Sequence, residues 1–376
     1  MNAAVQPEGR EATQRLVTLT LRDFRNIERA DLAFPADGVA VIGDNGEGKT
    51  NLLEAIAYLG TLRSLRNARD RDLVRHGTSV FHLHAAIDDG VPREISIGLE
   101  RTSGRKRISV DGVVVARQTD ALGVLRSVAW SPADVALVAG GPGERRRYLD
   151  VMLAVSSRAY VHALRQYRGA LERRNATLRG PQRGDSAAVA AWEPALAHYG
   201  GALVETRSAW VEAHHDEFVR LCAAIGERSP ARLGYSGDAA AQVEPATALA
   251  DALRRERDRD VVRGMTCVGP HRDDLTITLD GRDARTFGSA GQQRSAAIAL
   301  RLLEARTLGE GGRAHPVLLF DDPFAELDAT RTERTLDVLM SEAEGQVVLA
   351  VPRESEIPSR FAHLTRWRVS RGTFAT

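Results

Sequence analysis

The sequence is poor in cysteine, lysine and aromatic residues, and it contains no long apolar run. Its two cysteines, Cys222 and Cys267, lie far apart, which gives no zinc-ligand spacing and favours a reducing compartment, the cytoplasm. No apolar stretch reaches the ~18 residues that a membrane-spanning helix needs. The formal net charge is only +1, so any nucleic-acid surface must be local rather than a property of the whole chain.

The chain is long enough for two or three domains. It has 376 residues, of which 43% are hydrophobic, and this is enough for a substantial core. Residues 1–15 are polar and lack the apolar segment of a signal peptide, so we expect a loose, flexible tail there. The only lysines are Lys49 and Lys106, which indicates an arginine-biased genome and makes the position of Lys49 informative.

A phosphate-binding loop is predicted between residues 39 and 51. The apolar run Val39–Ile42 predicts a buried strand, and GDNGEGKT after it has the spacing G-x-x-x-x-G-K-[ST] ahead of a helix. Backbone N–H groups of such a loop surround phosphate oxygens, and the helix N-terminus adds partial positive charge. Lys49 would reach the β- and γ-phosphates, and Thr50 would ligate Mg²⁺. A chance glycine-rich turn is the weaker alternative, because pattern and context agree. The expected nucleotide-binding residues here are Gly43, Asp44, Asn45, Gly46, Glu47, Gly48, Lys49, Thr50 and Asn51.

Two adjacent aspartates follow a second apolar run. Val317–Phe320 predicts a buried strand, and Asp321 and Asp322 stand at its C-terminal end, where open α/β sheets bind ligands. We expect Asp321 to hold Mg²⁺, and Asp322 to orient or deprotonate an attacking water, with Lys49 as the other catalytic residue. Two solvated loop aspartates are the alternative, which the phosphate-loop pattern disfavours.

The segment FGSAGQQRSAAIALR, at 287–301, joins a polar loop to an apolar helix. Alone it predicts an ordinary buried helix with Ser289 as its N-cap. Together with 43–50 and 321–328 it resembles an ABC-type ATPase head, in the order P-loop, long insertion, signature loop, Walker B aspartate and D-loop. That resemblance implies that the signature loop and the D-loop complete the ATP site of a second copy of the chain. The residues so implied are Ser289, Gly291, Gln292 and Asp328.

Longer segments resemble the RecF family in particular. SPADVALVAGGPGERRRYLD at 131–150 and GPHRDDL at 269–275 are much more specific than a P-loop. The sequence also departs from the family pattern in two places. Pro323 and Ala325 stand in the segment that usually reads as a small apolar residue and then Ser-Glu-Leu-Asp. QVVLAVPRESE at 346–356 lacks the threonine expected of a γ-phosphate sensor, which puts the rate of hydrolysis in doubt.

The RecF resemblance implies an α/β fold, an ABC-ATPase-like split head domain with an inserted, mainly helical lobe. It implies an ATP- and Mg²⁺-dependent protein of recombinational repair and replication restart, with weak DNA-dependent ATPase activity. Such a protein dimerises on ATP, binds double-stranded DNA near single-strand gaps, and helps RecO and RecR to load RecA on DNA coated by SSB. The alternatives are a nucleotide-gated DNA clamp with negligible hydrolysis, or another SMC/ABC-type ATPase such as a transporter subunit. GPHRDDL and the arginine-rich insertion disfavour the transporter.

Hydrophobic patterning divides the chain into a split head and an insertion. Val17–Asp31 predicts one strand, and FHLHAAID, REISIGLE and RKRISVDG alternate as one-sided antiparallel strands do. From about 131 to 261 the pattern is helical. We therefore expect one head half at 16–129, a helical lobe at 130–261, and the second head half at 262–376.

Clusters of basic residues are the candidate DNA surface. Each alone is typical of a solvated face, because acids interleave. Together they would follow a DNA backbone through contacts that are independent of sequence and sensitive to salt. Few aromatic residues accompany them, which favours duplex over single-stranded DNA. The clusters are Arg101, Arg105, Lys106 and Arg107; Arg145–Arg147; Arg173, Arg174, Arg179 and Arg183; and Arg254, Arg255, Arg257, Arg259 and Arg263.

The histidines do not predict a metal site. His82, His84, His214 and His215 lack carboxylate or cysteine partners at ligand spacing, so core or surface positions are expected for them. His271 and Arg272, within GPHRDDL, have no chemical role that the sequence can assign, and a place near the nucleotide or the dimer interface is our interpretation.

Overall fold

The computed structural model describes residues 13–180, 185–240, 242–323, 329–342 and 345–376, which form two compact units. As far as it is described, the first unit combines the chain up to Pro132 with Glu304–Glu326 and Leu339–Thr376. The second unit combines Ala133–Leu303 with Leu327–Val338. The chain therefore leaves the first unit and returns to it twice.

The described residues contain fifteen strands in three sheets. They are β1 (Arg15–Phe24), β2 (Ile27–Ala33), β3 (Gly38–Ile42), β4 (Val80–Asp88), β5 (Pro92–Glu100), β6 (Lys106–Val110), β7 (Val113–Val114), β8 (Ser127–Trp130), β9 (Ala231–Ser236), β10 (Asp274–Leu279), β11 (Arg282–Asp283), β12 (Val317–Asp321), β13 (Val347–Val351), β14 (Thr365–Ser370) and β15 (Thr373–Ala375).

The same residues contain ten α-helices and several short 3₁₀ turns. The helices are α1 (Lys49–Thr61), α2 (Ala136–Ala139), α3 (Pro142–Ser156), α4 (Arg158–Arg179), α5 (Ser186–Ala190), α6 (Glu193–Ile225), α7 (Pro245–Arg263), α8 (Ala284–Phe287), α9 (Ala290–Gly309) and α10 (Ala329–Glu342). None of the described helices is long and apolar enough to cross a membrane.

A mainly parallel sheet is the centre of the first unit. Its strand order is β15-β14-β3-β13-β12-β8, and every pair except β14–β15 is parallel. β3 and β13 are buried along their whole length, as apolar strands covered on both faces are. The strands predicted at Val39–Ile42 and Val317–Phe320 are confirmed. Because β3 and β12 flank β13 in parallel, their carboxyl ends lie at the same edge of the sheet.

The same unit contains an antiparallel sheet in the order β2-β1-β4-β5-β6-β7. Apolar side chains on one face of this sheet pack into a cluster that includes Leu52 and Ile56 of α1. Within the cluster, the rings of Phe24 and Phe81 meet edge to face with their centroids 5.2 Å apart. The three strands predicted between residues 81 and 112 are confirmed. The single strand predicted at Val17–Asp31 is wrong, because the chain reverses between β1 and β2.

The second unit is mainly helical, with a small sheet in the order β11-β10-β9. Its longest element, α6, has 33 residues, which corresponds to about 50 Å of helix. Within the region predicted as helical, β9 forms in the segment where glycine and proline interrupt the helical pattern. The signature segment forms the predicted loop and helix, since α9 begins at Ala290. The domain boundaries derived from the sequence stay a prediction.

Candidate functional site

The predicted phosphate loop connects β3 to α1. Gly46 and Gly48 have φ angles of 86° and 123°, which residues with a side chain rarely adopt. Lys49 is 7% exposed and folds back over the loop, where Nζ donates to the carbonyl oxygens of Gly43 at 2.5 Å and Asp44 at 3.0 Å. The loop is therefore shaped around a buried cation.

Thr50 and Asp321 meet at the mouth of this loop. The Thr50 hydroxyl donates to Asp321 Oδ1 at 2.9 Å, although 271 residues separate them in sequence. Burial raises the pKa of the Asp321 carboxyl, while Thr50 and the charge of Lys49 act in the opposite direction. Two hard oxygen donors side by side, one of them a carboxylate whose charged form burial disfavours, fit a Mg²⁺ ion that keeps phosphate and water as its other ligands.

A cleft of about 320 Å³ brings most of the predicted site residues of the first unit together. Asp322 lies in its wall with a left-handed φ of 49°, and Pro132 and Pro352 also line it. Pro352 belongs to the segment in which the sequence lacks the expected threonine. The predicted residues that line the cleft are Asn45, Gly46, Gly48, Lys49, Thr50, Asn51, Asp321 and Asp322.

The remaining predicted residues of the loop support its shape. A side chain at Gly43 would come within 2.5 Å of the carbonyl oxygen of Val369, so only glycine fits beside β14. Glu47 accepts hydrogen bonds from the turn between β14 and β15, at its carboxylate from Arg371 N–H and at its carbonyl from Gly372 N–H.

Asn26, which the sequence did not single out, also holds the loop. Its amide nitrogen donates to the carbonyl oxygens of Gly46 at 3.3 Å and Glu47 at 3.2 Å, and its oxygen accepts from Asn51 at 2.7 Å. It lies in the reversal between β1 and β2, just after Arg25, which has a φ of 56°. The sequence signal that could have identified Asn26 is a hairpin turn between the two strands.

Glu54 links the cleft to the same reversal. It is fully buried and accepts hydrogen bonds from Arg25 at 2.8 Å, Arg66 at 2.7 Å and Ser64 at 2.5 Å. Burial disfavours the charged form, but the three donors outweigh it and hold the pKa of the Glu54 carboxyl below its usual range. Arg66, a second residue that the sequence did not single out, is thereby fixed in the cleft wall, where it also donates to Asn51.

A second cleft, of about 550 Å³, adjoins the first in the same unit. The two share Asn51 and Arg66, so a ligand too long for one cleft can extend into the other. Arg71 and His76 line the second cleft and are exposed, and neither forms an ion pair within the described part of the chain.

The predicted signature residues lie at the start of α9, in the second unit. Gln292 N–H donates to the Ser289 hydroxyl at 3.3 Å, and Ser289 N–H donates to the Gln292 side chain at 2.9 Å, which is a reciprocal capping box. The Gln292 amide also donates to Glu227 at 3.2 Å. Gly291 occupies the first turn of α9 between them. Asp328, the predicted D-loop residue, lies outside the described residues.

His271 has a structural environment. The Tyr167 hydroxyl lies 2.6 Å from Nδ1, and Nε2 lies 3.1 Å from the carbonyl oxygen of Thr266, so Nε2 donates and Nδ1 accepts. Burial, and to a smaller extent the charge of Arg272, lower the pKa of His271 to about 4, although the hydrogen bond to Thr266 acts in the opposite direction. The imidazole is thus neutral at pH 7, while Arg272 beside it is exposed.

Several members of the predicted DNA-binding clusters are internal ion pairs instead. Arg174 is fully buried and donates to Asp260 at 2.6 Å and to Glu193 at 3.1 Å. A charge that is neutralised inside the protein cannot follow a DNA backbone, so the prediction is wrong for these members. The buried or partly buried pairs are Lys106–Asp70, Arg145–Asp274, Arg174–Asp260 and Arg257–Glu193.

No cluster of metal-ligating side chains is found within the described ranges, and the histidines bond elsewhere. His214 and His215 contact the backbone carbonyls of Trp210 and Leu233, and His82 contacts Ser96. A Mg²⁺ held by Thr50, Asp321 and phosphate oxygens needs no such cluster.

The chain is similar to known proteins over most of its length. The family model of the RecF/RecN/SMC N terminal domain matches residues 15–359. A protein named DNA replication and repair protein RecF from Frankia alni is 38% identical, over 95% of this chain and 98% of its own. The protein of the same name from Acidothermus cellulolyticus is 39% identical, over 91% of this chain and 95% of its own.

Solved structures show the same similarity. A structure of the recombination mediator RecF with ATP matches with a TM-score of 0.89 and 27% identity, over 98% of this chain and 99% of that chain. An Smc head domain from Pyrococcus furiosus matches with a TM-score of 0.55 at 16% identity, which shows the fold alone. The predicted ABC-ATPase-like α/β fold is confirmed.

Proposed function

The chain belongs to the RecF family of DNA replication and repair ATPases, and we propose that it binds ATP with Mg²⁺ in the cleft beside Asp321. The observation that carries this proposal is the 2.9 Å contact of Thr50 with Asp321, next to the buried Lys49. A hydroxyl and a carboxylate at the end of a phosphate loop are the protein ligands that nucleotide-bound Mg²⁺ requires.

The phosphates belong in the loop itself. Lys49 Nζ has two backbone carbonyls as acceptors, and phosphate oxygens would take their place. Bound Mg²⁺ would neutralise phosphate charge. Asp322 lies in the cleft wall, where its carboxylate can orient or deprotonate a water for attack.

The base and ribose belong in the second cleft. It adjoins the phosphate loop through Asn51 and Arg66, and it has donors and acceptors on its walls. The ion pair of Arg66 with Glu54 would place a fixed guanidinium between the two ends of the nucleotide.

ATP would join two copies of the chain. Ser289, Gly291 and Gln292 at the positive end of α9 would contact the γ-phosphate of the nucleotide in the second copy. Asp328 would cross the same interface. The capping box between Ser289 and Gln292 supports this role, because it fixes the first turn that has to meet the phosphate.

The dimer would bind duplex DNA near single-strand gaps. With RecO and RecR it would help to load RecA on DNA coated by SSB, and slow, DNA-dependent hydrolysis would release it. Nucleotide state and dimerisation are then coupled, so each changes the equilibrium of the other.

Substitution of Lys49 tests the proposal. Lys49→Ala should cost about 2–5 kcal/mol of ATP binding free energy, because the phosphate oxygens would lose the buried cation proposed to bind them. Lys49→Arg should fail as well, since a flat fork does not fit the loop. Arg254→Ala, at an exposed residue of α7, is the control. ATP titration and light scattering measure binding and dimerisation, and an unchanged ATP-dependent dimer in Lys49→Ala would refute the scheme.

A nucleotide-gated DNA clamp with negligible hydrolysis is the second candidate. The observation that favours it is Pro352 in the cleft wall, where a threonine hydroxyl is expected and proline offers neither hydroxyl nor N–H. Phosphate release with and without gapped DNA separates the two: stimulation by DNA supports the ATPase, and no release above background supports the clamp.

A further inference from the structure

Three exposed arginines surround one short loop at the end of α7. The loop, residues 264–267, runs from Gly264 to Cys267, a span of at most about 11 Å. From the arrangement of Arg179, Arg263 and Arg272 around it, we propose that this surface, the 264–267 surface, binds the phosphate backbone of duplex DNA. The proposal rests on the proposed function, in which the protein binds duplex.

Each arginine contacts a different residue of the loop. The stem of Arg179 lies over Gly264, where an added Cβ would be 3.5 Å from its Cγ. Arg272 Nη2 lies 3.2 Å from the sulfur of Met265, and Arg263 Nη1 lies 3.8 Å from the sulfur of Cys267. The three side chains therefore border the same four-residue loop, although α4, α7 and the GPHRDDL segment supply them, and Arg179 Nε donates to the carbonyl oxygen of Asn175 at 3.1 Å.

The loop beneath them is rigid. Asn175 Oδ1 accepts both the N–H and the hydroxyl of Thr266 at 2.8 Å, and Asp260 Oδ1 accepts Cys267 N–H at 2.8 Å. Gly264 ends α7 with a left-handed φ of 68°. The arginines thus lose little conformational freedom beyond their own side chains when they bind a ligand.

No carboxylate neutralises this surface among the described residues. Asp260 is fully buried and paired with Arg174, and Asp273 is buried and accepts from Tyr235 at 2.7 Å. Within the described part of the chain, Arg179, Arg263 and Arg272 form no ion pair, unlike Arg254 and Arg259 of α7, which pair with Asp251 and Glu256.

The chemistry of the surface fits a polyanion. Each guanidinium uses few of its five N–H donors, and the free ones match the oxygens of a phosphate. Met265, which is 45% exposed between them, can contact a sugar. Three exposed arginines without an ion pair among the described residues, on a chain with a net charge of +1, are the feature that favours a phosphate backbone over a protein.

Fluorescence anisotropy with a labelled blunt duplex, measured with ATP across a salt series, tests the proposal. The triple variant Arg179→Ala, Arg263→Ala, Arg272→Ala should reduce the slope of log K against log salt by about 2–3, since each duplex phosphate contact contributes about 0.9. Arg220→Ala is the matched control, because that arginine is exposed on α6, is paired with Glu217 and lies outside the basic clusters, and it should keep the wild-type slope. Arg272→Lys should keep most of the slope in an otherwise unchanged chain.

The outcomes separate this proposal from the proposed function. If wild type binds duplex and the triple variant has the same slope, the 264–267 surface is overturned and the proposed function stands. If wild type does not bind duplex even at low salt, duplex binding itself fails. If the triple variant lost RecR or RecO binding and kept duplex binding, the surface would be a protein-binding site, and the proposal would be overturned. The triple variant should match wild type in ATP hydrolysis without DNA and in melting temperature. If the triple variant does not fold, each single variant should lower the slope by about 0.9.

Discussion

At the scale of single residues, the paired oxygens of Thr50 and Asp321 define the chemistry of the cleft. Asp321 ends β12, and Thr50 lies in the first turn of α1 after the loop that follows β3, so the two oxygens meet at 2.9 Å at one edge of the parallel sheet. Asp322, next in sequence, turns away from the strand direction with a left-handed φ of 49°. Two adjacent carboxylates are thus aimed differently, and we expect them to have different functions.

Substitution separates the two aspartates. Asp321→Asn removes a charged metal ligand, so the gain in ATP affinity on adding Mg²⁺ should fall by about tenfold, equivalent to about 1.4 kcal/mol. Asp322→Asn should keep that gain and lower the rate of hydrolysis instead. ATP titration with and without Mg²⁺, beside phosphate release, measures both. Equal loss of the Mg²⁺ effect in both variants would contradict the assignment.

Glu54 gives a prediction about pH. Its folded pKa is depressed, so its contribution to stability is fully present above the ordinary pKa of 4.5 and is lost as the pH falls through the lower, folded pKa. At pH 7, Glu54→Gln should lower the free energy of unfolding by about 1.5–3 kcal/mol, because charge-assisted hydrogen bonds are lost. The difference from wild type should shrink as the pH falls below 4.5. Denaturant unfolding of both proteins at pH 7 and at a pH below 4.5 measures this difference. A difference that grows in acid would contradict the role of these hydrogen bonds.

At the scale of elements, the first turn of α9 is held from two sides. The capping box joins Ser289 to Gln292, and Gln292 is held in turn by Glu227, just after α6. The long helix α6 and the signature loop are therefore linked by a side chain that also forms the cap. A displacement at the end of α6 would reach the residues proposed to contact ATP.

Ser289→Arg tests whether this helix start serves a second copy. The bulky cation should block the dimer interface while ATP binding to the monomer stays within about twofold of wild type, since the phosphate loop is unchanged. Ser289→Ala is the control for the cap alone and should cost about 1 kcal/mol of stability. Nucleotide titration and light scattering measure the two effects. Loss of monomer ATP binding in Ser289→Arg would mean that the loop serves its own nucleotide.

At the scale of the whole molecule, what the sequence could predict was what depends on local pattern. Strand–loop–helix around Lys49, the apolar strand before Asp321 and the capped start of α9 are each encoded within a few residues. Contacts distant in sequence were missed. Asn26 and Arg66 line or support the clefts only because the fold brings a hairpin turn and a loop to them.

The arginine clusters show the same limit. Interleaved charges along a helix do not tell which arginines find a partner from another element. Arg174 and Arg257 share Glu193, which belongs to α6, whereas Arg254 pairs within its own helix. Ion pairs between elements depend on how the elements pack, and the periodicity of charges along one helix does not predict them.

The bracing of the phosphate loop by Asn26 has a consequence for rates. Because Asn26 and the turn at Gly372 hold Gly46 and Glu47 from two sides, the loop backbone is fixed, and the change that nucleotide requires is confined to side chains such as Lys49, which exchanges its carbonyl acceptors for phosphate. We therefore expect encounter, rather than slow ordering of the loop backbone, to limit nucleotide binding, so that binding should be a single phase whose rate is proportional to nucleotide concentration. The lifetime of the nucleotide complex should then depend on the contacts that must break when nucleotide dissociates.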